Sequence, residues 1–85
     1  MRQALVAGNW KMNGSLENNE ALLKGLLEQL DDVTAKVVVC PSFVYLSQAR
    51  DLLAGSQVGF GGQDLSTEAS GAFTGEISAE MLNDF

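Results

Sequence analysis

The 85 residues contain no histidine, one cysteine, one proline, and five lysines and arginines against eleven aspartates and glutamates. Each shortage excludes something. Without an imidazole, Cys40 has no histidine base in this segment, so cysteine–histidine catalysis is ruled out here. A lone cysteine closes no internal disulfide, and in the run VVVC it reads as a small buried hydrophobe suited to a reducing compartment. A net charge of −6 repels phosphodiester backbones and anionic headgroups, which argues against nucleic acid and membrane partners. The apolar residues before Gly8 are too few for a signal-peptide core or a membrane span, so the expected compartment is the cytoplasm and the Asn13-Gly14-Ser15 sequon is unmodified there. Walker spacing is missing around Gly8 and Gly14, and Gly59-Phe60-Gly61-Gly62 does not complete GxGxxG. Scattered carboxylates on expected helix surfaces give no metal site. With so few cations, an anionic ligand needs a local lysine or backbone N–H groups.

What is present changes period along the chain. Residues 4 to 10 read as a strand, ended by Asn13-Gly14-Ser15. From Leu16, the leucines at 22, 26 and 30 recur every four residues beside Leu23 and Leu27, which predicts an amphipathic helix. Ser15 is its expected N-cap, with Glu17 and Glu20 where the helix dipole favours negative charge. After the turn-like Asp31-Asp32, the run Lys36 to Cys40 suits a strand covered on both faces and stopped by Pro41. Ser42 is the expected cap of a second helix in which Leu46, Ala49 and Leu53 share a face and Gly55-Ser56 closes the end. Val58 to Gly62 is a weaker third strand, whose glycines mark close approach by a backbone or a ligand. A long aperiodic connection from Gln63 to Ile77 follows, of the kind that carries function. Ser78 then caps a final helix, with Ile77 and Leu82 spaced as a hydrophobic staple. The order predicts one α/β domain with a parallel sheet and right-handed crossovers.

Two stretches stand out as candidate sites. Alternation along the first strand puts Leu5, Ala7, Asn9 and, if the strand persists, Lys11 on one side, and Val6, Gly8 and Trp10 on the other. An ammonium and an amide would then leave one face at a C-terminal strand end, where parallel α/β folds bind ligands. The competing reading ends the strand at Gly8 and leaves Lys11 in a solvated turn. A hairpin at Asn13-Gly14 is a further possibility, but the helical period after Leu16 opposes it. In the loop SGAFTGEIS, residues 70 to 78, Phe73 is a lid element, an interface anchor, or a residue folded back on its own core.

GNWKMNGS at 8 to 15 and SGAFTGEIS at 70 to 78 together resemble the first and third βα loops of the triosephosphate isomerase family. Pro41 after the second strand and Gly61-Gly62-Gln63-Asp64 after the third match in order and spacing. The resemblance spans all 85 residues. It implies an incomplete (β/α)8 TIM barrel comprising the first three strands, two helices and the start of a third, with residues 1–85 forming the N-terminal part of one barrel domain. The family is a familiar worked case of a Glu base and a neutral His electrophile interconverting two triose phosphates under a closing loop.

The resemblance further implies that Lys11 is catalytic and substrate-binding, as the cation that holds substrate charge and supports the enediolate, and that Asn9 is a hydrogen-bonding wall. It implies a cofactor-free reaction in glycolysis and gluconeogenesis. It also implies a homodimer in which Met12, Asn13, Phe73 and Thr74 make contacts and Thr74 reaches toward the neighbour's site. The family's Glu and His have no counterpart in these residues, so the segment is expected to be inactive alone. Three strands with helices on one face leave apolar surface open, and the partners that would cover it are the remaining barrel segments or another copy. The alternative is a non-catalytic split-barrel module that acts by self-association. A small flavodoxin-like domain fits poorly, lacking strands and a phosphate loop.

Overall fold

The computed structural model describes residues 2–30 and 32–85. It has three parallel strands in the order β1-β2-β3: β1 is Leu5–Asn9, β2 is Lys36–Cys40 and β3 is Gly59–Phe60. Helix α1, Leu16–Gln29, connects β1 to β2; a 3-10 turn at Phe43–Tyr45 leads into α2, Leu46–Leu53; and α3 is Ala79–Asn83. The open α/β sheet anticipated from the sequence is therefore present. Asp31 of the anticipated turn lies outside the described residues, while Asp32 is in a turn.

Register fixes which residues share a face. Leu5, Ala7 and Asn9 align with Lys36, Val38 and Cys40, while Val6 and Gly8 align with Val37 and Val39. In a parallel pair, aligned residues point the same way. Val37, Val39 and Phe60 join the core with Trp10, so this set faces the helices. The core itself is Leu23, Val39, Ala49, Leu53 and Val58, closed around by Leu26, Leu27, Leu30 and Leu52. Among the described residues the opposite face has no helix layer, and β2 is covered on one side rather than both. On the edge strand even the helix-side Val6 stays 57% exposed, close to the 62% of Leu5 on the open side.

Helix boundaries follow their caps. Ser15 is extended and its hydroxyl accepts the Asn18 N–H at 3.1 Å, and Ser78 does the same for Met81. Each side chain satisfies one of the donors a helix N-terminus leaves orphaned. Gly55, at φ 77°, follows α2, and the Ser56 N–H returns to the Leu53 carbonyl, as the Gly-Ser pair suggested.

Three expectations are corrected. Ser42 does not cap α2 with its side chain; the 3-10 turn intervenes, and its hydroxyl donates to the Lys11 carbonyl instead. The third strand pairs only over two residues, although the Gly61 N–H still donates to Val39. In α1 the fully buried positions are Asn19 and Leu23, whereas Leu22 and Leu16 are exposed. Leu26, Leu27 and Leu30 do pack against the core, so the leucine stripe faces inward along the later turns, while in the first turns Asn19 holds the inward position one turn before Leu23. Among the described residues no helix is long and apolar enough to cross a membrane.

Candidate functional site

β1 ends at Asn9, and the strand does not persist to Lys11. Trp10 still donates its N–H to the Cys40 carbonyl at 3.1 Å, which carries the ladder one bond further. Lys11 then takes φ 56°, the left-handed region that a residue with a Cβ rarely adopts. The side-chain Oδ1 of Asn9 accepts the Lys11 N–H at 2.8 Å, forming an Asx turn that leaves the two amide hydrogens of Asn9 free of that bond. Asn9 shares the open face of the sheet with Ala7 and Cys40, so the alternation argument holds for Asn9, while the turn determines where Lys11 goes.

The turn is held from all three strand ends. The Lys11 carbonyl accepts the Ser42 hydroxyl at 3.1 Å, from just past β2, and the Gln63 amide at 2.8 Å, from just past β3. The same Gln63 nitrogen donates to the Cys40 carbonyl at 2.9 Å. Gln63 was placed by sequence only in a matching segment; nothing in its spacing reveals that it bridges two loops. Asn13, anticipated as an interface residue, uses its side-chain amide on the Trp10 carbonyl at 2.8 Å, which curls the loop back on itself.

Charge at the site is one-sided. Lys24 pairs with Glu20, and Arg50 approaches Asp51 and stacks at 4.9 Å over the Phe85 ring. Among the described residues Lys11 has no ion-pair partner. An exposed lysine two residues from an exposed asparagine, at the C-terminal edge of a parallel sheet, offers donors for an anionic oxygen-rich ligand. At about 4 Å and an effective dielectric near 20, such a contact is worth about 4 kcal/mol.

The third loop is a separate feature. Ser66 and Ile77 close its base by an N–H to carbonyl bond of 2.7 Å, and Glu76 turns back onto Phe73. Phe73 is 50% exposed and lines a shallow pocket with Gly71, Ile77 and Met81, so it is partly folded on its own loop and partly displayed. Thr74 is exposed, and Met12 in the first loop is 94% exposed. Among the described residues the first loop is bonded to the start of the third connection through Gln63, and no hydrogen bond joins it to residues 70 to 78. The glycine-rich start of the connection has a packing role: a Cβ on Gly62 would sit 2.7 Å from the Phe43 ring and 3.1 Å from Leu82. The close approach anticipated there comes from side chains rather than from a backbone or ligand.

Comparison with known proteins identifies the family. The family model for triosephosphate isomerase matches residues 4–85. The triosephosphate isomerase of Cupriavidus pinatubonensis is 55% identical over 85 residues, covering 100% of this chain and 34% of that protein. Those of Albidiferax ferrireducens and Nitrosococcus oceani are 53% and 52% identical, again across 34% of their length and 100% and 99% of this chain. The chain therefore spans about a third of the length of the curated relatives it matches, their N-terminal third. By sequence match and by parallel α/β architecture, this chain belongs to the triosephosphate isomerase family.

Proposed function

We propose that residues 1–85 are the N-terminal part of a single TIM-barrel domain, and that the complete protein interconverts D-glyceraldehyde 3-phosphate and dihydroxyacetone phosphate. The reaction is proton transfer through an enediolate, without a cofactor, in glycolysis and gluconeogenesis in the cytoplasm. The observation that carries this reading is the Lys11 turn, which projects from the C-terminal edge of the sheet and is fixed by bonds from Asn9, Ser42 and Gln63. Fixed donors aimed where negative charge develops stabilise a transition state without reorganising during the reaction. Lys11 supplies the cation for the substrate's charge and the enediolate, and Asn9 offers its amide hydrogens as one wall of the site. The imidazole and the carboxylate base come from outside these residues, which contain no histidine. The segment alone is therefore inactive.

The same reading makes the complete protein a homodimer. Its first loop, through Met12 and Asn13, meets the neighbour's third loop, through Phe73 and Thr74. The exposure of Met12 and of half of Phe73 supports surfaces that another chain covers. A second reading, a self-associating split-barrel module, draws on the uncovered sheet face at Leu5 and Val38. An isomerase assay of the complete protein separates the two. In that assay Lys11→Ala is expected to lose at least about a hundredfold in kcat/KM with the fold retained by circular dichroism. Near-normal turnover would remove Lys11 from the mechanism.

A further inference from the structure

The inward face of α1 carries one residue that a core should reject. Asn19 is 2% exposed, one turn before the fully buried Leu23. A buried amide is costly unless it is bonded. Asn19 Nδ2 donates to Gln48 Oε1 on α2 at 3.0 Å, and Gln48 Nε2 donates to the Leu16 carbonyl at 2.7 Å, in the first turn of α1. Two amides thus clip the start of α1 to α2.

The clip reaches the candidate site through Gly14. A Cβ on Gly14 would lie 2.6 Å from Asn19 Oδ1, and Gly14 has φ 126°, so the loop passes over the Asn19 side chain where only glycine fits. On its other side the Gly14 carbonyl accepts the Tyr45 hydroxyl at 3.3 Å. The loop from Asn9 to Gly14 is therefore anchored at both ends: near Lys11 by Gln63 and Ser42, and at Gly14 by Asn19 and the turn before α2.

We propose that Asn19 and Gln48 are positioning residues for Lys11: their amide pair sets where Gly14 sits, and Gly14 sets the far end of the loop that holds the ammonium. The kinetic part of this rests on the reading of Lys11 above; the structural part does not. An apolar residue of the same shape as Asn19 would keep the core filled but lose its bond to Gln48, leaving the Gly14 end of the loop held by the Tyr45 hydroxyl alone and therefore looser. Small displacements of a charged group that grips substrate are costly in rate and binding.

The test uses the complete protein with Asn19→Leu, Gln48→Leu and the reciprocal exchange N19Q/Q48N, which keeps both amides and their combined length. Kinetics with glyceraldehyde 3-phosphate and hydrogen exchange at the Lys11 amide, bonded to Asn9, are both read. Each single variant is expected to raise KM and lower kcat/KM by roughly tenfold and to speed exchange at Lys11, while the reciprocal exchange restores both. A variant that merely unfolds some molecules lowers apparent kcat and leaves KM alone. If Asn19→Leu does not fold, Gln48→Leu, at a half-buried position, carries the comparison. Unchanged KM and unchanged Lys11 exchange would overturn the proposal. An inactive unsubstituted protein would instead overturn the isomerase reading, and the exchange data would then decide the positioning role alone.

Discussion

Lys11 stores backbone strain where the chemistry is proposed to happen. Its φ of 56° costs an L-residue about 1 to 2 kcal/mol relative to ordinary conformations, and three hydrogen bonds to its own N–H and carbonyl hold it there. Glycine carries no such penalty. Lys11→Gly in the complete protein should therefore be more stable than Lys11→Ala by about 1 kcal/mol in urea unfolding, although both lack the ammonium. Equal stabilities would mean that the conformation is not strained. Gln63 is the strongest of these restraints because one nitrogen serves two carbonyls. Gln63→Leu should cost about 1 to 3 kcal/mol and lower kcat/KM, as the loop loses its tie to the segment after β3. The face of Asn9 was legible from the alternation of β1, whereas Lys11 stood out only as a polar group after an apolar run, since the strand stops before it. Gln63 was not, since its partners lie 52 and 23 residues away and no local pattern encodes so distant a bond.

Helix α1 shows how an element can be legible at its start and only partly legible on its face. Ser15 identified the start because capping is local chemistry, bonding within three residues. Leu23, Leu26, Leu27 and Leu30 pack in or against the core as the stripe suggested, but Leu22 is exposed, and nothing in the leucine spacing reveals that Asn19 sits inward one turn before Leu23. The consequence is measurable. Leu23→Ala, at a fully buried site, should destabilise by about 2 to 5 kcal/mol, whereas Leu22→Ala, at 55% exposure, should cost no more than about 1 kcal/mol. Chemical denaturation of the complete protein distinguishes the two, and the reverse order would place Leu22 rather than Leu23 on the inward face. Ser42 carries the same lesson. The Pro-Ser step correctly ended β2, but the serine's hydroxyl serves the Lys11 loop, a tertiary partner that outcompetes the local capping role.

At the scale of the molecule, the sheet is finished on one side only. Trp10, Val37, Val39 and Phe60 pack under the helices, while Leu5 and Val38 lie on the side that has no second layer. The edge strand is solvated on both faces, and its free edge can pair with another strand. A net charge of −6 resists association, but none of the three strands contains a carboxylate. The 85-residue segment by itself should consequently associate or remain molten. Analytical ultracentrifugation is expected to show mass rising with concentration, and amide NMR signals should be broad and poorly dispersed. Leu5→Glu with Val38→Lys, which puts charge on the open face without touching the core, should shift the segment toward monomer. A sharply dispersed spectrum from an unsubstituted monomer would show that the helix-side core suffices. Association that persists in the charged variant would instead locate the contact at the β1 edge or at the loops bearing Met12 and Phe73.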